Sequence, residues 1–157
     1  MFTATTGFSH RLFTPRSAEA KKLLRRFRIH CVRTAGLSDV SGNGAFVAFA
    51  LAMERMVAAG ILKASPLIDT VAATSVGIVD DVALLDLMYE EDSRAEVDMN
   101  VVMTGRGDFV EIQATAEGRP FNGSEMQDLL ALAAAGIRRL AEAQRTILPA
   151  KFLARGR

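Results

Sequence analysis

The stretch from Tyr89 to Gly105 sets the tightest limit on how this chain folds. Glu90, Glu91, Asp92, Glu96 and Asp98 fall within nine residues, with Arg94 among them. A strand-like apolar run, Val82 to Met88, precedes them, and Met99 to Thr104 and Phe109 to Thr115 follow. Like charges repel, and a carboxylate loses hydration when it is buried, so these acids must stay wet or paired while their flanks are packed away. The chain therefore has to turn at water here, between strands. A solvated acidic loop and a cation or substrate site both satisfy that pattern.

The flanks extend the reading. Thr70 to Val79 is a β-branched run suited to a buried strand, and Asp80-Asp81 turns it into Val82 to Met88 as a hairpin. Arg106-Gly107-Asp108 joins Asp98–Thr104 to Phe109–Thr115 as a second hairpin, and Glu117-Gly118-Arg119-Pro120 is a further turn. Ser124 is placed to cap a helix that carries Glu125 and Asp128 near its positive end and runs to about Ile147. Its apolar face is Leu129, Leu130, Leu132, Ala133, Ile137, Leu140 and Ala141, and Arg138, Arg139 and Arg145 lie towards its negative end.

Upstream, Ala45 to Ala59 is apolar on most sides and stops at Gly60, which predicts a buried helix with a glycine C-cap. Thr34 to Asn43 has loop composition, and Ser65-Pro66 marks a turn. Ser17 to Phe27 has helical composition, Ile29 to Val32 suits a short strand, and residues 1–15 show no periodicity. Helix, four antiparallel-capable strands and helix define an α+β layer with helices packed on a sheet.

With 157 residues, half of them apolar, one domain with a sizeable core is expected. The net charge is only +1, but its distribution is uneven. Residues 1–38 hold eight Lys or Arg against Glu19 alone, residues 39–148 hold eight against seventeen acids, and the last nine residues add three. An acidic body with basic ends fits either nucleic-acid contact or exposed tails. The single Cys31 excludes an internal disulfide and a thiolate zinc cluster, and points to a reducing compartment. No run is apolar enough to span a membrane, so none is expected as a partner. Met1 to Arg28 is basic and almost free of acids, as organellar transit segments are; a cytoplasmic location is the simpler expectation.

Asp92 and Asp98 are the candidate chemical pair. They lie six residues apart, and a turn and a half of helix would bring them nearly onto one face. Asp98 opens a strand, which fixes its backbone. Two aimed carboxylates without His or Cys suit a hard cation such as Mg²⁺ or Mn²⁺, as metal-assisted phosphoryl transfer requires; one could instead serve as a general acid. The structural alternative is that Asp92 caps a short helix and Asp98 a strand end. His10 and His30 sit in the unpatterned front and suit surface roles. Gly42-Asn43-Gly44 is too short to cradle phosphate alone, and no Walker A, nucleophile elbow or Cys-His pair is present. Lys21 to Arg28 suits either phosphate contact or a solvated helix face.

Taken in order, Val71-Ala-Ala-Thr-Ser-Val-Gly-Ile-Val79, Leu85-Asp-Leu87, Glu91-Asp-Ser-Arg-Ala-Glu96, Asp98-Met-Asn-Val-Val-Met-Thr104, Thr115-Ala-Glu-Gly118 and Pro120-Phe121 resemble ribonuclease PH. This is the family of phosphate-dependent 3′→5′ exoribonucleases, also called tRNA nucleotidyltransferases. The match is nearly continuous from Gly44 to about Gln144. The resemblance implies an α+β fold like domain 2 of ribosomal protein S5, and assembly as a ring of dimers. It also implies trimming of RNA, tRNA 3′ ends above all, with Mg²⁺ or Mn²⁺ as cofactor and inorganic phosphate as co-substrate. Asp92 and Asp98 correspond to the family's acidic pair at the catalytic centre, Asp98 as the metal-binding or proton-donating carboxylate and Asp92 as its partner.

The front departs from the family. In Arg16 to Arg26 only Arg16, Glu19, Leu23 and Arg26 fit the corresponding helix, and Ala35-Gly-Leu-Ser-Asp39 stands where the family carries a phosphate-binding Gly-Gly-Thr-Arg-Thr. The organisation read from this is a poorly matched basic segment over 1–43, a ribonuclease PH-like domain over 44–148 and a basic tail over 149–157. The expectation is an N-terminally truncated or degenerate member whose phosphate- and RNA-contacting residues are not identified. It is either a phosphorolytic enzyme or an inactive subunit for RNA binding or assembly, alone or with a partner supplying the missing half. A basic-tailed RNA adaptor without chemistry is the third reading.

Overall fold

In the computed structural model, residues 39–67 and 69–148 are described. The expected helix Ser17–Phe27, the strand Ile29–Val32, the basic segment Lys21–Arg28, His10, His30, Cys31 and the tail 149–157 lie outside these residues. So do all but the last residue of Ala35–Asp39. The elements are α1 (Asp39–Ala58), β1 (Val71–Val79), β2 (Val82–Leu85), α2 (Tyr89–Asp92), β3 (Val97–Thr104), β4 (Phe109–Ala116) and α3 (Gly123–Ile147). The described residues divide into two compact units, residues 39–67 and 69–70 with 142–148, and residues 71–141.

In the first unit, α1 buries Phe46, Phe49, Ala50 and Met53, the three-and-four spacing of a single helix face. It starts at Asp39, so the expected loop over Thr34–Asn43 is helical in its second half. The run of Gly and Asn that suggested a loop has weak intrinsic preference, and the helix extends through it regardless. The expected stop at Gly60 holds: its φ is +72°, its N–H donates to the Val57 carbonyl at 3.1 Å, and that of Ile61 donates to Met56 at 3.0 Å. These are the paired bonds of a Schellman motif, and left-handed backbone is where glycine has no Cβ penalty.

The second unit is a four-stranded sheet in the order β2-β1-β3-β4, every pair antiparallel. Asp80 (φ +51°) and Asp81 (φ +61°) form the two-residue turn of the first hairpin. Both positions are left-handed, as a turn matching strand twist requires, and Asp tolerates that region better than most residues. Along β3, Val97, Met99, Val101 and Met103 are buried, alternating with half-buried Asp98, Asn100, Val102 and Thr104. The buried row joins Ala72, Val76 and Ile78 of β1, and Leu129, Ala133 and Ile137 of α3 close the core. Wholly buried side chains such as Val97 and Leu129 each contribute about 1.5–3 kcal/mol. The α+β architecture read from the sequence is the architecture observed.

Two boundaries of the second unit differ from expectation by more than a residue. β2 ends at Leu85 and does not reach Met88, because Asp86 turns left-handed (φ +61°) and the chain folds back on Ser75. There the Asp86 N–H donates to the Ser75 carbonyl at 2.9 Å, and the Leu87 N–H to Ser75 Oγ at 3.2 Å. The cap of α3 is Asn122, not Ser124. Asn122 Oδ1 accepts from the N–H groups of Ser124 (2.9 Å) and Glu125 (3.1 Å), and Glu125 accepts in return from the Asn122 N–H at 2.7 Å. This is a capping box, with the acid three residues after the cap.

Candidate active site

The acidic stretch does not behave as one charged loop. Two of its carboxylates, those of Glu91 and Glu96, are held by distinct partners. Glu91 accepts the Met88 N–H at 2.8 Å, closing the single turn of α2, and Ser93 Oγ donates to the Glu90 carbonyl. Arg94 pairs with Asp80 at the surface. Glu96 accepts Arg119 Nε at 2.5 Å and the Asp81 N–H at 3.4 Å. Asp92 is exposed at the end of α2, and Asp98 is the second residue of β3.

The pair is therefore not presented by a turn and a half of helix. The helix stops at Asp92, and Ser93 to Glu96 carry the chain into the sheet. Nor does Asp92 cap the N-terminus of α2; it is the last residue of that turn. Asp98 sits in the ladder between Gly77 of β1 and Thr115 of β4, on the face of β3 opposite the core row. Asn100 follows on that face, between Ser75 and Gln113. Gly77 must lack a side chain: a Cβ there would lie 2.5 Å from the Val97 carbonyl oxygen and 2.7 Å from Leu87 Cδ1. Leu87 occupies the room beside Asp98's neighbour, and Asp98 is bounded by backbone that cannot easily move.

Sequence reasoning missed Arg119, the one residue that ties these parts together. Its Nε donates to Glu96, its Nη2 to Glu125 (2.8 Å) and Asp81 (3.2 Å), and its Nη1 to the Pro120 carbonyl (3.3 Å). The hydrogen bond to Glu125, then that to Glu96, holds the guanidinium protonated well above its usual range. In turn Arg119, and secondarily the Asn122 N–H, holds the Glu125 carboxyl below the usual carboxylate range. The sequence signal was only a turn, Glu117-Gly118-Arg119-Pro120, and nothing in it marked the arginine's partners 23 and 38 residues away.

Among the described residues, no three of His, Cys, Asp or Glu converge as a metal-binding group. Mg²⁺ commonly takes one or two carboxylates and fills its shell with water and phosphate oxygens, so the oxygen-only pair Asp92 and Asp98 fits such an ion in chemistry. Among the described residues no helix is long and apolar enough to cross a membrane.

Comparison with known proteins places this geometry in a class. Residues 69–136 match the model of the 3′ exoribonuclease family, domain 2, a span that runs from the entry of β1 into α3 and contains Asp92, Asp98 and Arg119. The class is thus the second domain of 3′ exoribonucleases. Ribonuclease PH of Solibacter usitatus is 53% identical over 113 residues, 72% of this chain and 48% of that protein. Those of Syntrophomonas wolfei (53% over 113 residues) and a Synechococcus species (54% over 111) are similar, covering 47% and 45% of their lengths. The chain belongs to the ribonuclease PH family, and spans about half the length of these relatives. A chain of an archaeal exosome core is similar with a TM-score of 0.46 and 21% identity, over 52% of this chain and 32% of that one.

Proposed function

We propose that this chain acts in phosphorolytic 3′→5′ removal of nucleotides from RNA, tRNA 3′ ends foremost, with Asp98 as its central carboxylate. The observation that carries the reading is the setting of Asp98. It is an acid fixed in a sheet ladder beside an obligatory glycine, on the face away from the core, within the stretch more than half identical to ribonuclease PH relatives.

In the reaction, an oxygen of inorganic phosphate bonds to the terminal phosphorus as the bond to the preceding 3′ oxygen breaks. That oxygen leaves with a proton, and the terminal nucleotide leaves as a nucleoside diphosphate. Asp98 either donates that proton as a carboxylic acid or holds the charge of a bound cation; Asp92, exposed at the end of a one-turn helix, assists. A Mg²⁺ or Mn²⁺ ion held by Asp98 with Asp92 would neutralise charge on the phosphate oxygens. The test is Asp98→Asn in a phosphorolysis assay with the full chain: a loss supports the assignment, and undiminished turnover rejects it.

A second reading rests on Ala35-Gly-Leu-Ser-Asp39, which lacks the threonine and arginine of the family's phosphate-binding segment. On that reading the chain is a non-catalytic subunit for RNA binding or assembly, and phosphate-dependent release is absent although RNA is bound. Self-assembly, or pairing with a partner that supplies the phosphate side, belongs to both readings. It is supported by the sheet edge at β4, exposed along nearly all its length with Phe109 and Ile112 on it. Sizing of the purified chain tests this, a sharp monomer peak counting against it.

A further inference from the structure

We propose that Arg119 is a positioning residue for the carboxylate site, holding through Glu96 the end of β3 on which Asp98 stands. The inference rests on the reading of Asp98 given above. Asp98 lies one residue inside the ladder, whose last pairs on this side are Ile78 with Val97 and Val97 with Ala116. Ladder ends fray, and a carboxylate displaced by about 1 Å from its productive position can cost of the order of 10²-fold in rate. Something has to hold this end.

Glu96 does so from both sides. Its N–H donates to the Ile78 carbonyl at 2.8 Å, and its own carbonyl accepts the N–H groups of Glu117 (2.9 Å) and Gly118 (3.0 Å). Gly118 approaches so closely that a Cβ there would lie 3.3 Å from Glu96 Cα. The carboxylate of Glu96 then reaches Arg119 and the Asp81 N–H, and Arg119 reaches on to Glu125. One guanidinium thus joins the β1–β2 turn, the entry to β3, the exit of β4 and the first turn of α3. Arg119 is about a third exposed, and exposed ion pairs add little to stability. What a planar fork adds is direction: its nitrogens serve several acceptors at fixed angles, which a lysine ammonium cannot reproduce.

The test compares Arg119→Met and Arg119→Lys in the full chain by two independent readouts. One is nuclear magnetic resonance of the Asp98 carboxylate together with amide exchange at Glu96 and Val97; the other is phosphorolysis. Arg119→Met is expected to shift the Asp98 resonance, to quicken exchange at Glu96 and Val97 and to lower kcat about tenfold with KM for RNA unchanged. Arg119→Lys recovers part of each. An unmoved Asp98 resonance with unchanged exchange overturns the proposal, as does an undiminished kcat in a chain whose parent is active. A shifted resonance in a chain whose parent releases no nucleoside diphosphate upholds the clamp and rejects the function assigned to Asp98. Where Arg119→Met does not fold, Glu125→Gln replaces it, with changes of about two- to threefold expected in the same direction and the same outcomes deciding.

Discussion

Replacing Gly77 by alanine tests the packing beside Asp98 with a single carbon atom. That Cβ would stand 2.5 Å from the Val97 carbonyl oxygen, where ordinary contact begins near 3.4 Å, and 2.7 Å from Leu87 Cδ1. The leucine can rotate away. The carbonyl belongs to the backbone of the central strand β3, which is tied to β1 and to β4, so it moves only if the ladder opens. Overpacking of a dense interior costs about 1–3 kcal/mol, and the backbone partner sets this case near the top of that range. For a unit of this size that corresponds to a fall in Tm of roughly 10–20 °C. Gly118→Ala is the internal control: its nearest contact, at 3.3 Å, asks the neighbour to give by only a few tenths of an ångström. Thermal unfolding followed by circular dichroism checks both. If Gly77→Ala melts within about 2 °C of the parent, the close approach of β1 to β3 is wrong, and so is the setting of Asp98.

Two further expectations concern stability. Leu129→Ala removes a wholly buried side chain from the helix–sheet core and should cost about 2–5 kcal/mol in urea unfolding, against far less for Ile147→Ala, which is exposed. Glu125 is held below the usual carboxylate range by Arg119, so its stabilising effect is present above the pKa it has in the unfolded chain and is lost as pH falls through its depressed folded value. The difference in urea midpoint between the parent and Glu125→Gln, present at neutral pH, should close on acidification below about pH 4. A gap that persists in acid would place the effect in helix capping and not in the ion pair.

Features set by local chemistry were legible in the sequence. Asp80-Asp81 marked a tight turn between two apolar runs, and the apolar stripe of α3 marked its core side. Features set by tertiary partners were not. Nothing local announces that Asp86 will turn left-handed and end β2, since Ser75, which receives it, is eleven residues away. Asn122 outcompetes Ser124 as the cap because Glu125 lies three residues beyond it and answers with the reciprocal bond. The spacing of Asp92 and Asp98 suggested a shared helix face, but a one-turn helix ends between them. The assignment of the two residues as a pair therefore rests on the order of motifs and not on their spacing. Arg119 was hidden for the same reason: its partners come from three separated segments.

Whether this chain's carboxylate site serves phosphorolysis is decided by one product analysis. The purified full chain is incubated with an RNA carrying a 3′ extension and Mg²⁺, with and without inorganic phosphate, and the released nucleotides are separated. The expected product is nucleoside diphosphate that forms only with phosphate and falls about 100-fold or more in Asp98→Asn. A folded, RNA-binding chain that releases no nucleoside diphosphate, or one whose release is unaffected by Asp98→Asn, would contradict it.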